Sequence, residues 1–220
     1  MQNRLRSDAR RNRDRILAAA GELYVEQGVD VPLEEVARRA GVGIATLYRR
    51  FPDRGQLMRG VALEVLQRVA DEARDALAEE ADGFQALARY LHRSLDLRIA
   101  AVMPIVDGAV DLDGDPELHA AHLALTPLYE AIVRRAHEHG LRPDIGAGDL
   151  GLIVIRLSRP LPGASFSREF DNATAHRQLD ILLDGLRMPE ARRPADSAAD
   201  GLTIDQVRGA RRRTPGLGDG

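Results

Sequence analysis

VPLEEVARRAGVGIATLYRRF, residues 31–51, contains two short amphipathic helices around a glycine turn. Pro32 opens the first, because its ring presets a helical φ and its missing N–H is not needed in a first turn. Glu34 and Glu35 stand where unpaired amides favour negative charge, and Leu33, Val36, Ala37 and Ala40 form one apolar face. Gly41 ends this helix. The second runs from about Ile44 to Arg50 and stops near Phe51-Pro52, since a residue before proline is steered out of the helical region. Small Ala37 and Ala40 allow a close crossing, and Val42 and Leu47 close a miniature core between the two helices. In this geometry one helix braces while the next enters a major groove about 12 Å wide. Plain structural bundles use the same pair, so the side chains on the second helix have to decide.

Thr46, Tyr48, Arg49 and Arg50 supply hydroxyls and guanidinium forks, and Ile44 and Ala45 at its start suit contact with thymine methyls. Arg54 falls in the first turn of the following helix, an awkward place for a cation beside a helix dipole. Two readings of it stand: its head reaches a phosphate together with the free amides there, or it is a solvated arginine paired with Asp53.

Upstream, Ile16, Leu17, Ala20, Leu23 and Tyr24 recur at helical spacing from Asn12 onward, and Gly28 supplies a C-cap. The head core expected from these patterns is Ile16, Leu23, Val36, Ala37, Val42, Leu47 and Phe51. Residues 1–11 are polar and rich in arginine, and read as a disordered arm that either follows a duplex or stays solvated. Downstream, Asp53 is a credible N-cap for a long helix reaching towards Glu80, long enough to join a small head to a larger body. Further helices are expected at about 83–102, 116–139, 147–158 and 168–186. LGLIVIRL, residues 150–157, would pass for a strand by composition, but its isolation among helical patterns favours a buried helix. The fold class expected is therefore all-α. Its parts are the arm at 1–11, a helix-turn-helix domain at 12–60, a helical regulatory and dimerisation domain at 61–190, and a tail at 191–220. The tail is expected to be disordered, with at most a transient turn of helix at Ile204–Val207.

Charge supports a nucleic-acid partner for the head. Residues 1–60 hold 12 Arg against 8 acidic side chains, net +4, while the remaining 160 residues hold 19 basic against 26 acidic, net -7. Lysine is absent, so every fixed cation is an arginine fork, and cysteine is absent too, which excludes disulfides and thiolate metal sites. The N-terminus lacks a signal-peptide core, and no apolar run reaches the roughly 18 residues of a membrane span, so a soluble cytoplasmic protein without membrane contact is expected.

VARRAGVGIATLYRRFPDRGQL resembles the TetR family of transcriptional regulators, whose pattern runs "IA..AGVS..TLY.HF..K..L". Val36-Ala37, Ala40-Gly41-Val42, Thr46-Leu47-Tyr48, Phe51, Arg54 and Leu57 fall on that pattern. The likeness covers residues 12–60; the body shares only helical character and length. The resemblance implies a homodimer reading a palindromic operator, a dimer-forming helical bundle near the C-terminus, and an inducer pocket in each body. It also implies contacts from Thr46 to backbone or base and from Tyr48 and Arg54 to phosphates. Two positions depart from the pattern: Gly43 replaces the serine that caps the recognition helix, and Pro32 replaces the threonine that starts the bracing helix.

In the body, Leu91, Leu95, Met103, Leu125, Tyr129 and Ile153 are candidate liners of a modest aliphatic pocket, although most of them equally suit a solid core. Ile155, Leu179, Leu182, Leu183 and Leu186 are candidates for a two-fold helical interface, again with core packing as the alternative. The histidines, His92, His119, His122, His137, His139 and His176, form no recognised metal motif, so neither a metal nor any other cofactor is expected. GASFS at 163–167 is not a nucleophile elbow and no phosphate loop is present, which argues against an enzyme. The expectation is a ligand-responsive regulator, most simply a repressor released from double-stranded DNA by a small-molecule effector. The alternative is a helical scaffold that retains the head without ligand-controlled DNA binding.

Overall fold

The computed structural model describes residues 2–97, 115–159, 166–188 and 201–210, with side chains from Arg10 to Val207. Within them the chain is helical: α1 Gln2–Gln27, α2 Leu33–Ala40, α3 Ile44–Arg50, α4 Arg54–Glu79, α5 Gly83–Asp96, α6 Pro116–Glu138, α7 Ala147–Leu157, α8 Arg168–Leu186 and α9 Ile204–Ala210. The extended pairing among the described residues is a single antiparallel bridge, Leu141 to Arg187.

The helix ends follow local chemistry. Asp53, Asp82, Asp115 and Ser167 each accept a backbone N–H three residues on, capping α4, α5, α6 and α8. Pro32 stands one place earlier than expected, as the N-cap of α2. Gly41 closes α2 in the left-handed region, φ 62°, and its amide and that of Val42 bond to carbonyls of the last turn.

Two apolar cores result. The first joins α1, α2, α3 and the start of α4, and Leu118 from α6 is fully buried within it. The second lies among the rest of α4, α5, α6, α7 and α8. Val65 and Leu125 touch both, so α4 and α6 link head to body. Arg59 reinforces this link, its guanidinium pairing with Asp115 and, at 2.6 Å, with Glu117 at the start of α6. At the far end of the body, Arg135 donates to the carbonyls of Leu77, Glu80 and Ala81, tying α6 to the α4–α5 corner.

Both chain ends differ from the sequence reading. Residues 2–11, expected as a disordered arm, prolong α1. In the expected disordered tail, 201–210 are ordered against α7: Gly148 N donates to Leu202 O at 2.7 Å, and Leu202 N to Asp149 Oδ2 at 2.8 Å. The tail is too polar to hold itself, but it finds unpaired groups at the amino end of α7. Residues 98–102 of the fifth expected helix, and 191–200 and 211–220 of the tail, lie outside the described residues.

Candidate nucleic-acid interface

α3 is pinned by one buried residue and exposed over most of the rest of its surface. Leu47 is completely buried in the head core, while Ile44, Ala45, Tyr48, Arg49 and Arg50 are exposed and Thr46 is half-buried. With 3.6 residues per turn, a seven-residue helix held through one central leucine presents both ends outward. Arg49 Nη2 donates to Thr46 Oγ1 at 3.0 Å, which lays the guanidinium along the outer face. Gly43 caps α3 without a side-chain bond; its carbonyl instead receives the amides of Thr46 and Leu47. Of the other expected core residues, Ile16, Leu23, Val36, Ala37 and Phe51 are buried, and Val42 packs against them partly buried.

The remaining arginines of the head divide by what they touch. Arg38 pairs with Glu35 on the same helix, holding that carboxyl below its usual range through a 2.8 Å hydrogen bond. Arg39 reaches back to Glu26 at 3.0 Å and Glu22 at 3.5 Å on α1. Arg15 donates to Gly41 O at 2.8 Å, clasping the turn between α2 and α3. Arg54 also faces inward: Nη1 donates to the carbonyls of Val29 at 2.7 Å and Val31 at 2.6 Å. Neither sequence reading of Arg54 described this. The α1–α2 loop leaves carbonyls without helical partners, and the first residue of α4 passes close enough to supply donors. Beside it, burial pushes the Tyr24 hydroxyl up to about 12, opposed by the Arg54 charge.

The Arg15 clasp was missed from the sequence. The signal available was slight: a cation immediately before the apolar Ile16-Leu17 run belongs to a packed helix more naturally than to a free arm.

In the body the expected pocket residues separate. Leu91 and Leu95 are buried in the core, whereas Leu125 and Tyr129 border a cleft of about 120 Å³ between α6, α7 and α9. Ile153 is half-buried outside that lining, and Met103 lies outside the described residues. The interface candidates separate as well. Leu179 and Leu183, only 1% and 5% exposed, pack inside the protomer, being one turn apart on the inward stripe of α8. Leu186 packs partly buried on the same core and Ile155 borders the cleft, while Leu182 is exposed. The large exposed apolar residues of α8 are Phe170, Ile181 and Leu182.

A braced, outward-facing α3 on a three-helix head, carried by a long helix into a helical body, defines a helix-turn-helix transcriptional regulator. Known proteins agree. The profile of the bacterial regulatory proteins of the tetR family matches residues 16–61. A TetR transcriptional regulator from Streptomyces coelicolor, SCO0520, is 31% identical with a TM-score of 0.55, over 80% of this chain and 98% of that one. A TetR regulatory protein from Mycobacterium vanbaalenii is 30% identical with a TM-score of 0.54, over 84% and 99%. An HTH-type transcriptional regulator of Staphylococcus aureus (strain USA300) is 41% identical over 54 residues, so the matched segment spans 24% of this chain and only 29% of that regulator. The chain belongs to the TetR family of transcriptional regulators, a family of regulatory proteins rather than enzymes.

Proposed function

We propose that this protein is a repressor that binds a palindromic operator as a homodimer and leaves it when a small, mainly apolar effector enters the body. The observation that carries the reading is α3, fixed through buried Leu47 and exposed at Ile44, Ala45 and Tyr48 to Arg50. In this reading Arg49, Arg50 and Tyr48 contact phosphates and base edges, Thr46 orients Arg49, and Ile44 and Ala45 lie against the groove. Arg54 acts through the α1–α2 loop that it holds, in place of a phosphate contact.

The effector site in this proposal is the cleft bordered by Leu125, Tyr129, Leu152, Ile155 and Ile204. Its polar anchor is the Tyr129 hydroxyl, buried without a hydrogen-bond partner among the described residues, a condition that a ligand acceptor or donor would relieve. The homodimer uses the outer face of α8, where Ile181 and Leu182 are exposed.

The test is selection from a random duplex pool, followed by a salt titration on the enriched sequence. Two half-sites about one helical turn, roughly 34–36 Å, apart are expected, with affinity falling steeply as salt rises. An unenriched pool, or equal binding by wild type and a Tyr48→Ala/Arg49→Ala double variant, would refute the assignment of α3. Sedimentation should give twice the 24.1 kDa chain mass at binding concentrations.

A further inference from the structure

Where α5 meets α8, four side chains line up as carboxylate, imidazole, imidazole, carboxylate. His92 of α5 and His176 of α8 meet edge to edge in nearly one plane, with ring centroids 5.0 Å apart and planes 10° from parallel. Their Nδ1 atoms face each other at 2.7 Å. Each distal nitrogen meets a carboxylate of the opposite helix: His92 Nε2 lies 3.0 Å from Asp180 Oδ1, and His176 Nε2 lies 3.0 Å from Asp96 Oδ1. The two imidazole side chains are 27% and 25% exposed, so they belong to the seam between the helices and not to open solvent.

Counting protons shows what the arrangement requires. An ionised carboxylate only accepts, so each Nε2 must carry a hydrogen and donate it. A neutral ring with Nε2–H has a lone pair on Nδ1, and two neutral rings would oppose two lone pairs across 2.7 Å. One added proton on either Nδ1 converts that repulsion into a charge-assisted N–H···N bond. A second would set two N–H groups against each other. The four nitrogens are satisfied when they hold three hydrogens. A metal ion fits less well: two imidazole nitrogens on a tetrahedral zinc, each about 2.0–2.1 Å from it, stand roughly 3.3 Å apart. Among the described residues no group of three or more histidines, cysteines or carboxylates is placed to hold a metal ion.

We propose that Asp96, His92, His176 and Asp180 form a proton-binding clip, in which one proton shared between the imidazoles fastens α8 to α5 and makes the packing of the body respond to pH. No proton between the Nδ1 atoms opposes two lone pairs and two oppose two N–H groups, whereas rings separated by unfolding accept either state without that penalty. The unfolded chain thus binds more protons than the folded one on the acid side and fewer on the alkaline side. Docking of α8 is strongest in between and weakens in both directions. The neighbouring charges are carboxylates and guanidiniums. Arg93 of α5 stands 3.6 Å from Asp96 and 3.8 Å from Glu72 of α4; Glu22 of α1 and Glu64 and Arg68 of α4 border the cleft that Asp96 also lines; Arg177 is exposed on α8. Imidazole is the side chain whose ordinary titration lies between roughly pH 5 and 8.

The test is amide hydrogen exchange on the full chain with EDTA present, comparing protection factors of α8 with those of α4 from about pH 5 to about pH 9. For the wild type, α8 protection should pass through a maximum and fall roughly threefold on each side, as suits a partly exposed charged pair. His92→Phe/His176→Phe removes all four ring nitrogens while keeping two aromatic side chains, and should flatten the profile. Asp180→Asn keeps both imidazoles and should move the alkaline fall to lower pH; it serves equally if the double variant does not fold. A flat wild-type profile, a maximum that survives the double variant, or an alkaline fall unmoved by Asp180→Asn would overturn the clip. Protection that appears only when zinc replaces EDTA would overturn it in favour of a metal.

Discussion

Leu47 and Arg49 are two positions apart on α3, yet substitutions there should be read by different instruments. Leu47 is fully buried in the core that α1, α2 and the start of α4 share, so Leu47→Ala should cost about 2–5 kcal/mol and melt the head. Arg49→Ala removes a guanidinium that among the described residues bonds to Thr46, and should leave stability within about 0.5 kcal/mol while DNA affinity falls. Arg54 separates two chemistries. If its role is to hold the Val29 and Val31 carbonyls, Arg54→Ala should lower stability by about 1–2 kcal/mol and leave the salt dependence of DNA binding unchanged. A phosphate contact would instead reduce the salt slope by about one unit. Thermal melts and binding isotherms at several salt concentrations distinguish the two.

Glycines set the limits of several helices, and their substitutions should differ in sign. A Cβ at Gly43 would meet nothing within 4 Å, and the residue already has an N-cap conformation. Gly43→Ser should therefore stabilise the head by a few tenths of a kcal/mol by bonding to an amide of the first turn of α3. Gly41 is left-handed at φ 62°, so Gly41→Ala should cost about 1 kcal/mol even if the flexible Arg15 head moves aside. At Gly83 the obstacle is backbone: a Cβ would sit 2.2 Å from the Arg135 carbonyl oxygen. Gly83→Ala should thus destabilise the α4–α5–α6 corner by about 1–3 kcal/mol, measurable by urea melts.

Across the whole molecule, head and body are joined by charge as well as by apolar packing. The Arg59 guanidinium beside Asp115, together with the Leu118 amide, holds that carboxyl below the usual aspartate range. A depressed carboxylate contributes stability that is complete above its unfolded titration and is lost as pH falls through the folded one. Thermal stability should therefore drop below about pH 4, and Asp115→Asn should show a shallower acid slope than the wild type. A second bridge runs from Arg168 at the start of α8 to Glu22 and Glu26 of α1, the same carboxylates that Arg39 of α2 engages. It brings the beginning of α8 into the charge network of the helix-turn-helix head.

The amino-acid sequence alone determined the helices of the head, their caps and their inward residues. Each of those depends on neighbours within one or two turns: Val36 to Ala37 to Ala40, Asp53 to Gln56, Phe51 before Pro52. Periodicity and capping are local, so they are legible without a fold. Tertiary structure decided the roles that depend on partners far along the chain. It turned Arg54 and Arg15 into ties on loop carbonyls, placed Leu179 and Leu183 in the core and left Ile181 outside, set the 201–210 segment on α7, and brought His176 to His92, 84 positions away. An arginine or a leucine carries the same local signal whether it faces a phosphate, a carbonyl, the core or a second subunit. Only the approach of another element sets its exposure and its hydrogen bonds.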